Sequence, residues 1–197
     1  MPANLKEMGK RIVENMMLTQ DRQSTDMMIN QLYKDYCGMN PTEKAETKRC
    51  NNMDKYDNLR VVVECVDVWN GKKFDHGEKR YTVDGQGKRI VIPGHIRVAQ
   101  NYNKVIKEKG INKLQEVKGG DVVKIVPVEK DNEWGIEKIC FLDEWPGEFD
   151  ELFKIDNKTG FEKIIYEELR RYYQTMGWPA FNPTLNYEFS LFDILGI

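Results

Sequence analysis

Histidine is scarce in this chain and cysteine falls into no pattern. Among 197 residues there are two histidines, His76 and His95, and four cysteines, Cys37, Cys50, Cys65 and Cys140. Two histidines so far from any ligand cluster do not build a metal site or a proton relay. No C-x-x-C spacing offers a zinc site or a redox couple, so the cysteines read as reduced and structural. No apolar run approaches the ~18 residues of a membrane span. The opening, MPANLKEMGKRIVENMM, lacks the continuous apolar stretch and small-residue cleavage site of a secretory signal. A cytoplasmic protein with no membrane association is therefore expected. There is no internal repeat or low-complexity segment. No paired nucleophile and base and no phosphate-cradling glycine loop mark an enzyme of its own.

What the chain does have is charge, unevenly spread. The net charge is −2, yet Lys48 to Lys118 carries 16 Lys and Arg against 9 Asp and Glu, whereas Glu129 to the end carries 7 against 15. Affinity for a phosphate backbone depends on local positive charge, because counterions are released where the contact is made. A basic middle stretch on an overall acidic chain therefore suits one phosphate-binding face. Ordinary surface variation is the plainer reading of the same counts.

Periodicity places the elements. Leu5, Met8, Ile12, Val13, Met16 and Met17 recur at three- and four-residue spacing, which predicts a helix over residues 3–19. Ser24 or Thr25 is the expected cap of a second helix with the stripe Met28, Ile29, Leu32, Tyr33 and Tyr36, ended by Gly38 and Pro41. The two make a helical hairpin, and their methionines read as core filling rather than as an adaptable groove. Residues 42–58 are polar and turn-rich, as in a loop. Strands are expected over 59–69 and 79–92, with Asn70-Gly71 ending the first and Asp84-Gly85 interrupting the second. A third helix follows over 96–109, burying Ile96, Tyr102, Val105 and Ile106. Strands at 121–128 and 136–142 come next. A last helix over 161–176 turns Phe161, Ile164, Ile165, Leu169 and Tyr172 inward. Residues 179–186 read as a linker before the apolar end at 187–197. The class is α+β, mainly helical.

Several blocks, in order, carry a resemblance. Cys50-Asn51-Asn52-Met53-Asp54-Lys55-Tyr56-Asp57 is followed by His95-Ile96-Arg97 and by Tyr102-Asn103-Lys104-Val105-Ile106-Lys107. Then come Gly120-Asp121, Val123, Ile125-Val126-Pro127, Trp145-Pro146 and the terminal Ser190-Leu191-Phe192-Asp193-Ile194-Leu195. From about Cys50 to the end, the chain resembles the thumb subdomain and C-terminal tail of T-even-like phage family B replicative DNA polymerases. There, an N-N-x-x-K-Y-D loop precedes an H-I-R-x-x-x-x-Y-N-x-x-I-K helix and the chain ends in S-L-F-D-M-F. The stretch between Asp57 and His95 is longer than the family's connection, and its hairpin has no counterpart there.

The resemblance implies a thumb over 1–186, with residues 58–93 as a β-hairpin-like insertion, and a sliding-clamp-binding peptide over 187–197. A thumb grips primer-template duplex of any sequence, hence by phosphate and sugar contacts. Arg97, at the start of its helix beside His95, is the expected phosphate ligand. Lys104 and Lys107 follow on later turns. A solvated helix face is the plainer reading of these three. Asn51, Asn52 and Lys55 are expected in the minor groove, where amides tolerate any base pair; alternatively the asparagines serve only the turn. Lys48 and Arg49 extend the grip. In the tail, Leu191, Ile194 and Leu195 project as an apolar plug for the clamp, with Phe192 as a second anchor; the alternative is a tail folded back on its own domain. The palm and fingers motifs of the nucleotidyltransferase are absent, so the Mg ions of DNA synthesis belong to palm, fingers and exonuclease parts that lie either on a separate chain, as in a split polymerase, or in a longer polymerase of which this is the thumb. A stand-alone adaptor for DNA and clamp stays open. The implied setting is the cytoplasm of a phage-infected bacterium.

Overall fold

The structure, a computed structural model, describes residues 3–69, 74–179, 181 and 183. It divides into two compact units, one of residues 1–47 with 124–197, the other of Lys48–Val123. The basic stretch recognised in the sequence lies wholly in the second unit. Helix predominates over strand in an α+β arrangement.

In the first unit, α1 (Ala3–Thr19) and α2 (Arg22–Gly38) form the expected hairpin. The reversal is tight because Gln20 takes a left-handed φ of 51° and Asp21 caps α2, its carboxylate accepting from the Gln23 and Ser24 N–H groups at 3.0 and 3.3 Å. Asp21 therefore does what was expected of Ser24 or Thr25. Thr25 instead sits one turn inside, fully buried, its hydroxyl donating to the Asp21 carbonyl and accepting from the Asn15 amide. Leu5, Ile12 and Met16 meet Ile29, Leu32 and Tyr36 in the core, whereas Met17 is 62% exposed.

The closing helix runs as α5 (Asn157–Phe161), a π-helical turn (Glu162–Tyr166) and α6 (Glu167–Thr175). Its buried side chains are Phe161, Ile165, Tyr166, Leu169 and Tyr173, while Tyr172, expected inside, is exposed. The π turn is the reason. A stripe at strict four-residue spacing drifts around an ordinary helix, and the wider i→i+5 turn winds it back, bringing Tyr173 under the core in place of Tyr172.

Residues 42–58 are more ordered than a polar loop. Pro41–Lys44 forms a short helix, α3, closed by a capping box between Asn40 and Glu43. Strand β1 (Glu46–Arg49) and a 3-10 turn (Met53–Tyr56) follow. Strands β5 (Val122–Pro127) and β6 (Lys138–Phe141) pair antiparallel within a three-stranded sheet of order β1-β5-β6.

The second unit contains a long ribbon. β2 (Arg60–Trp69) pairs antiparallel with β3 (Phe74–Val83), and β4 (Arg89–Ile90) adds a short third strand. β3 begins earlier than the sequence suggested, because pairing from Arg60↔Val83 to Trp69↔Phe74 carries it back to residue 74. The β3–β4 reversal is set by Asp84, whose carboxylate accepts from the Gln86 and Lys88 N–H groups, with Gly87 at a φ of 82°. Val83 alone is buried among the described side chains of the ribbon. Helix α4 (Gly94–Glu108) buries Ile96, Tyr102, Val105 and Ile106 as expected, together with Val98 and Ala99. Each fully buried aliphatic of this kind contributes ~1.5–3 kcal/mol.

Candidate nucleic-acid interface

The scaffold of the second unit is held by side chains of α4 that reach backbone atoms of neighbouring segments. The Gln100 amide donates to the Tyr56 carbonyl at 3.1 Å, across 44 positions of sequence, and fixes the 3-10 turn against the helix. The Asn103 amide donates to the Val117 carbonyl at 2.9 Å, and its oxygen accepts from the Val117 N–H at 2.8 Å. The Tyr102 hydroxyl donates to the Gln115 carbonyl at 3.1 Å. Cys50, buried, is tied through its N–H to the Asp121 carbonyl at 2.8 Å and through its carbonyl to the Gly120 N–H at 2.7 Å. The stretches at 50–57, 95–107 and 115–121 are thus neighbours in the fold.

On this scaffold the expected DNA ligands stand in different situations. Arg97 is exposed in the first turn of α4, and no described acidic side chain pairs with it. Pro93, at the cap position, supplies no side-chain oxygen to the helix start, so that end keeps N–H groups directed outward. His95 is half-buried beside it. Lys104, seven residues on from Arg97 and so on the same helix face, is exposed with its ammonium 3.7 Å from Glu108. Lys107 is exposed 3.0 Å from Glu116. Exposed pairs of this kind are worth ~0–1 kcal/mol each, too little to keep an ammonium from a phosphate by themselves.

Asn51, Asn52 and Lys55 are exposed in the turn that Gln100 anchors. Asn52 adopts a left-handed φ of 54° and makes no side-chain capping bond. Its backbone serves the turn, and its side chain is exposed. Lys55 lies over the Tyr56 ring at 5.9 Å. Arg49 is exposed in β1, as is Lys48. The tail anchors Leu191, Phe192, Ile194 and Leu195 lie outside the described residues.

Sequence reasoning missed the acids. A concavity formed by the 3-10 turn, α4 and residues 116–119 carries Asp54, Asp57 and Glu116 as well as Lys104, Lys107 and Lys118. Its polarity is therefore mixed, whereas Arg97, in the first turn of α4, is exposed outside that lining.

In the first unit, by itself, one cation is buried. Lys44, 2% exposed, donates to the Asn157 side-chain oxygen at 2.8 Å and the Cys37 carbonyl at 3.4 Å, and lies over the Tyr36 ring at 5.0 Å. Burial pulls its pKa below the usual lysine value. Its contacts tie α2, α3 and α5 together, which is a scaffold role. Asp26 is raised by burial against the pull of its hydrogen bond from Tyr173 and of Arg22 at 3.5 Å.

These features define an α+β protein with an exposed, positively charged helix in its second unit. A scan against protein-family models finds no match, and a search of curated proteins finds none either. Among the described residues no helix is long and apolar enough to cross a membrane, and no three His, Cys, Asp or Glu side chains converge as a metal site would require.

Proposed function

We propose that this chain grips duplex DNA by its backbone, as the thumb part of a phage replicative DNA polymerase of family B, and that its C-terminal peptide tethers the enzyme to a sliding clamp. One observation supports the reading above others. The resembling blocks at 50–57 and 95–107, far apart in sequence, are bound together by the Gln100–Tyr56 hydrogen bond, leaving Arg97, Lys104 and Lys107 exposed along one helix. Such a surface offers cationic donors at spaced points along a helix, which suits contacts to a backbone whose base sequence changes at every step. Nucleotide transfer and its Mg ions belong, on this proposal, to palm, fingers and exonuclease outside these residues.

The test is duplex binding across salt concentrations and across unrelated sequences. Arg97→Ala weakens binding by a similar factor for every sequence and flattens the salt slope by about one unit. A loss confined to some sequences would mean base readout and would refute the assignment. In the same assay, removal of residues 190–197 abolishes recruitment by a sliding clamp while duplex affinity is kept; equal loss of both would make the tail structural.

A further inference from the structure

Glu116 is held where it is by its neighbours. The carbonyl of Gln115 on one side accepts from Tyr102, and both backbone groups of Val117 on the other are bonded to Asn103. Tyr102 and Val117 are themselves buried, at 1% and 2% exposure. Asn103 and Lys107 are four residues apart on α4, one above the other on the same face. The turn that pins Val117 is therefore followed by the turn that meets Glu116, and the carboxylate rests 3.0 Å from the Lys107 ammonium. Glu108 differs, since it sits on the same helix as its partner Lys104, 3.7 Å away. The backbone carrying Glu116 cannot withdraw from Lys107 without breaking three hydrogen bonds.

The pair does little for the fold. Its side chains are 64% and 45% exposed, and ion pairs so open to water contribute little to stability. A carboxylate carried beside a lysine by an anchored backbone has a different effect on an incoming polyanion. It occupies the ammonium as a phosphate oxygen would, so that Lys107 displaces fewer of the cations condensed on the DNA when duplex binds.

We propose that Glu116 is a built-in competitor for DNA phosphate, which holds Lys107 and keeps the grip on duplex weak enough to release and re-form. This inference rests on the duplex-binding reading above. A protein that must move along its substrate gains from a contact that is exchanged rather than locked.

The experiment is a double-mutant cycle read as duplex affinity against salt concentration, using a short DNA duplex of mixed sequence and the full chain. Glu116→Gln tightens binding at low salt by roughly two- to fivefold and steepens the salt slope by up to about 0.9 as one more phosphate contact forms. In a Lys107→Gln background the same substitution changes neither quantity, because the freed group is gone. An unaltered thermal midpoint for Glu116→Gln shows that the change is not one of folding. If the wild type binds duplex and Glu116→Gln binds no tighter, or if the gain persists without Lys107 as a general charge effect, this inference is overturned and the duplex reading stands. If the wild type does not bind duplex, both fall.

Discussion

Gly160 in α5 packs against the hydroxyl of Tyr36 so closely that a methyl group at position 160 would collide with that oxygen and press on Pro127 Cγ, 3.1 Å away. The ring has nowhere to swing. It lies edge-on to Phe161 at 5.7 Å and beneath the Lys44 ammonium at 5.0 Å. Glycine in a helix ordinarily costs ~1 kcal/mol relative to alanine, so on propensity alone Gly160→Ala would stabilise. Overpacking against a fixed ring costs about 1–3 kcal/mol and decides the sign.

Gly160→Ala is therefore expected to lower stability by about 1–2 kcal/mol in denaturant unfolding. Tyr36→Phe is expected to be neutral or stabilising, because the Tyr36 hydroxyl is buried with no hydrogen-bond partner. Combined, the phenylalanine recovers most of the alanine's loss. A double variant no better than Gly160→Ala alone would place the strain elsewhere.

Four phenols give the fold a limit in alkali. Burial raises the pKa of Tyr33, to about 12, and also raises those of Tyr36, Tyr166 and Tyr173; in Tyr173 the hydrogen bond to the Asp26 carboxylate adds to the effect. A phenol whose pKa is higher folded than unfolded contributes fully below the unfolded value of 10.0, and its contribution is lost as pH rises toward the folded value. Lys44 acts in the opposite sense below 10.5, where its lowered pKa lets stability rise with pH. Four groups outweigh one, and the denaturant midpoint should fall steeply between pH 10 and 12, in step with phenolate absorbance. A midpoint that stays level across that window would contradict the buried phenols.

Asn52→Gly separates turn geometry from ligand contact. Glycine adopts the left-handed φ of 54° without penalty, so stability should stay within about 0.5 kcal/mol of wild type. Duplex affinity, by contrast, should fall by a few-fold, equally for all sequences, as the outward amide is lost. Unchanged affinity would leave Asn52 a turn residue and nothing more.

Much of this architecture follows from patterns short enough to read along the chain. The stripe Leu5, Ile12 and Met16 lies on one helix face, and Ile96, Tyr102, Val105 and Ile106 on another, because burial and periodicity are the same fact seen twice. What escaped depends on partners distant in sequence or on a local exception. Tyr173 replaces Tyr172 because one π turn resets the helix. Lys44 is buried because Asn157, 113 positions away, accepts its hydrogen bond. Asp21 caps α2 because Gln20 reverses the chain ahead of the serine and threonine that suggested a later start. At the candidate interface, the basic ligands were legible as a run of charge, whereas Glu116 was not. Its meeting with Lys107 is arranged by two side chains of α4 that bond to backbone, and backbone acceptors have no signature in sequence.

Two of those bonds end on carbonyl oxygens, which every amino acid possesses. The hydroxyl of Tyr102 and the amide of Asn103 will hold the segment whichever letters stand at the exposed positions 115 and 116. A single codon change there can reset the charge facing Lys107 while the scaffold is inherited intact, which makes the strength of the contact a heritable setting that selection can adjust on its own.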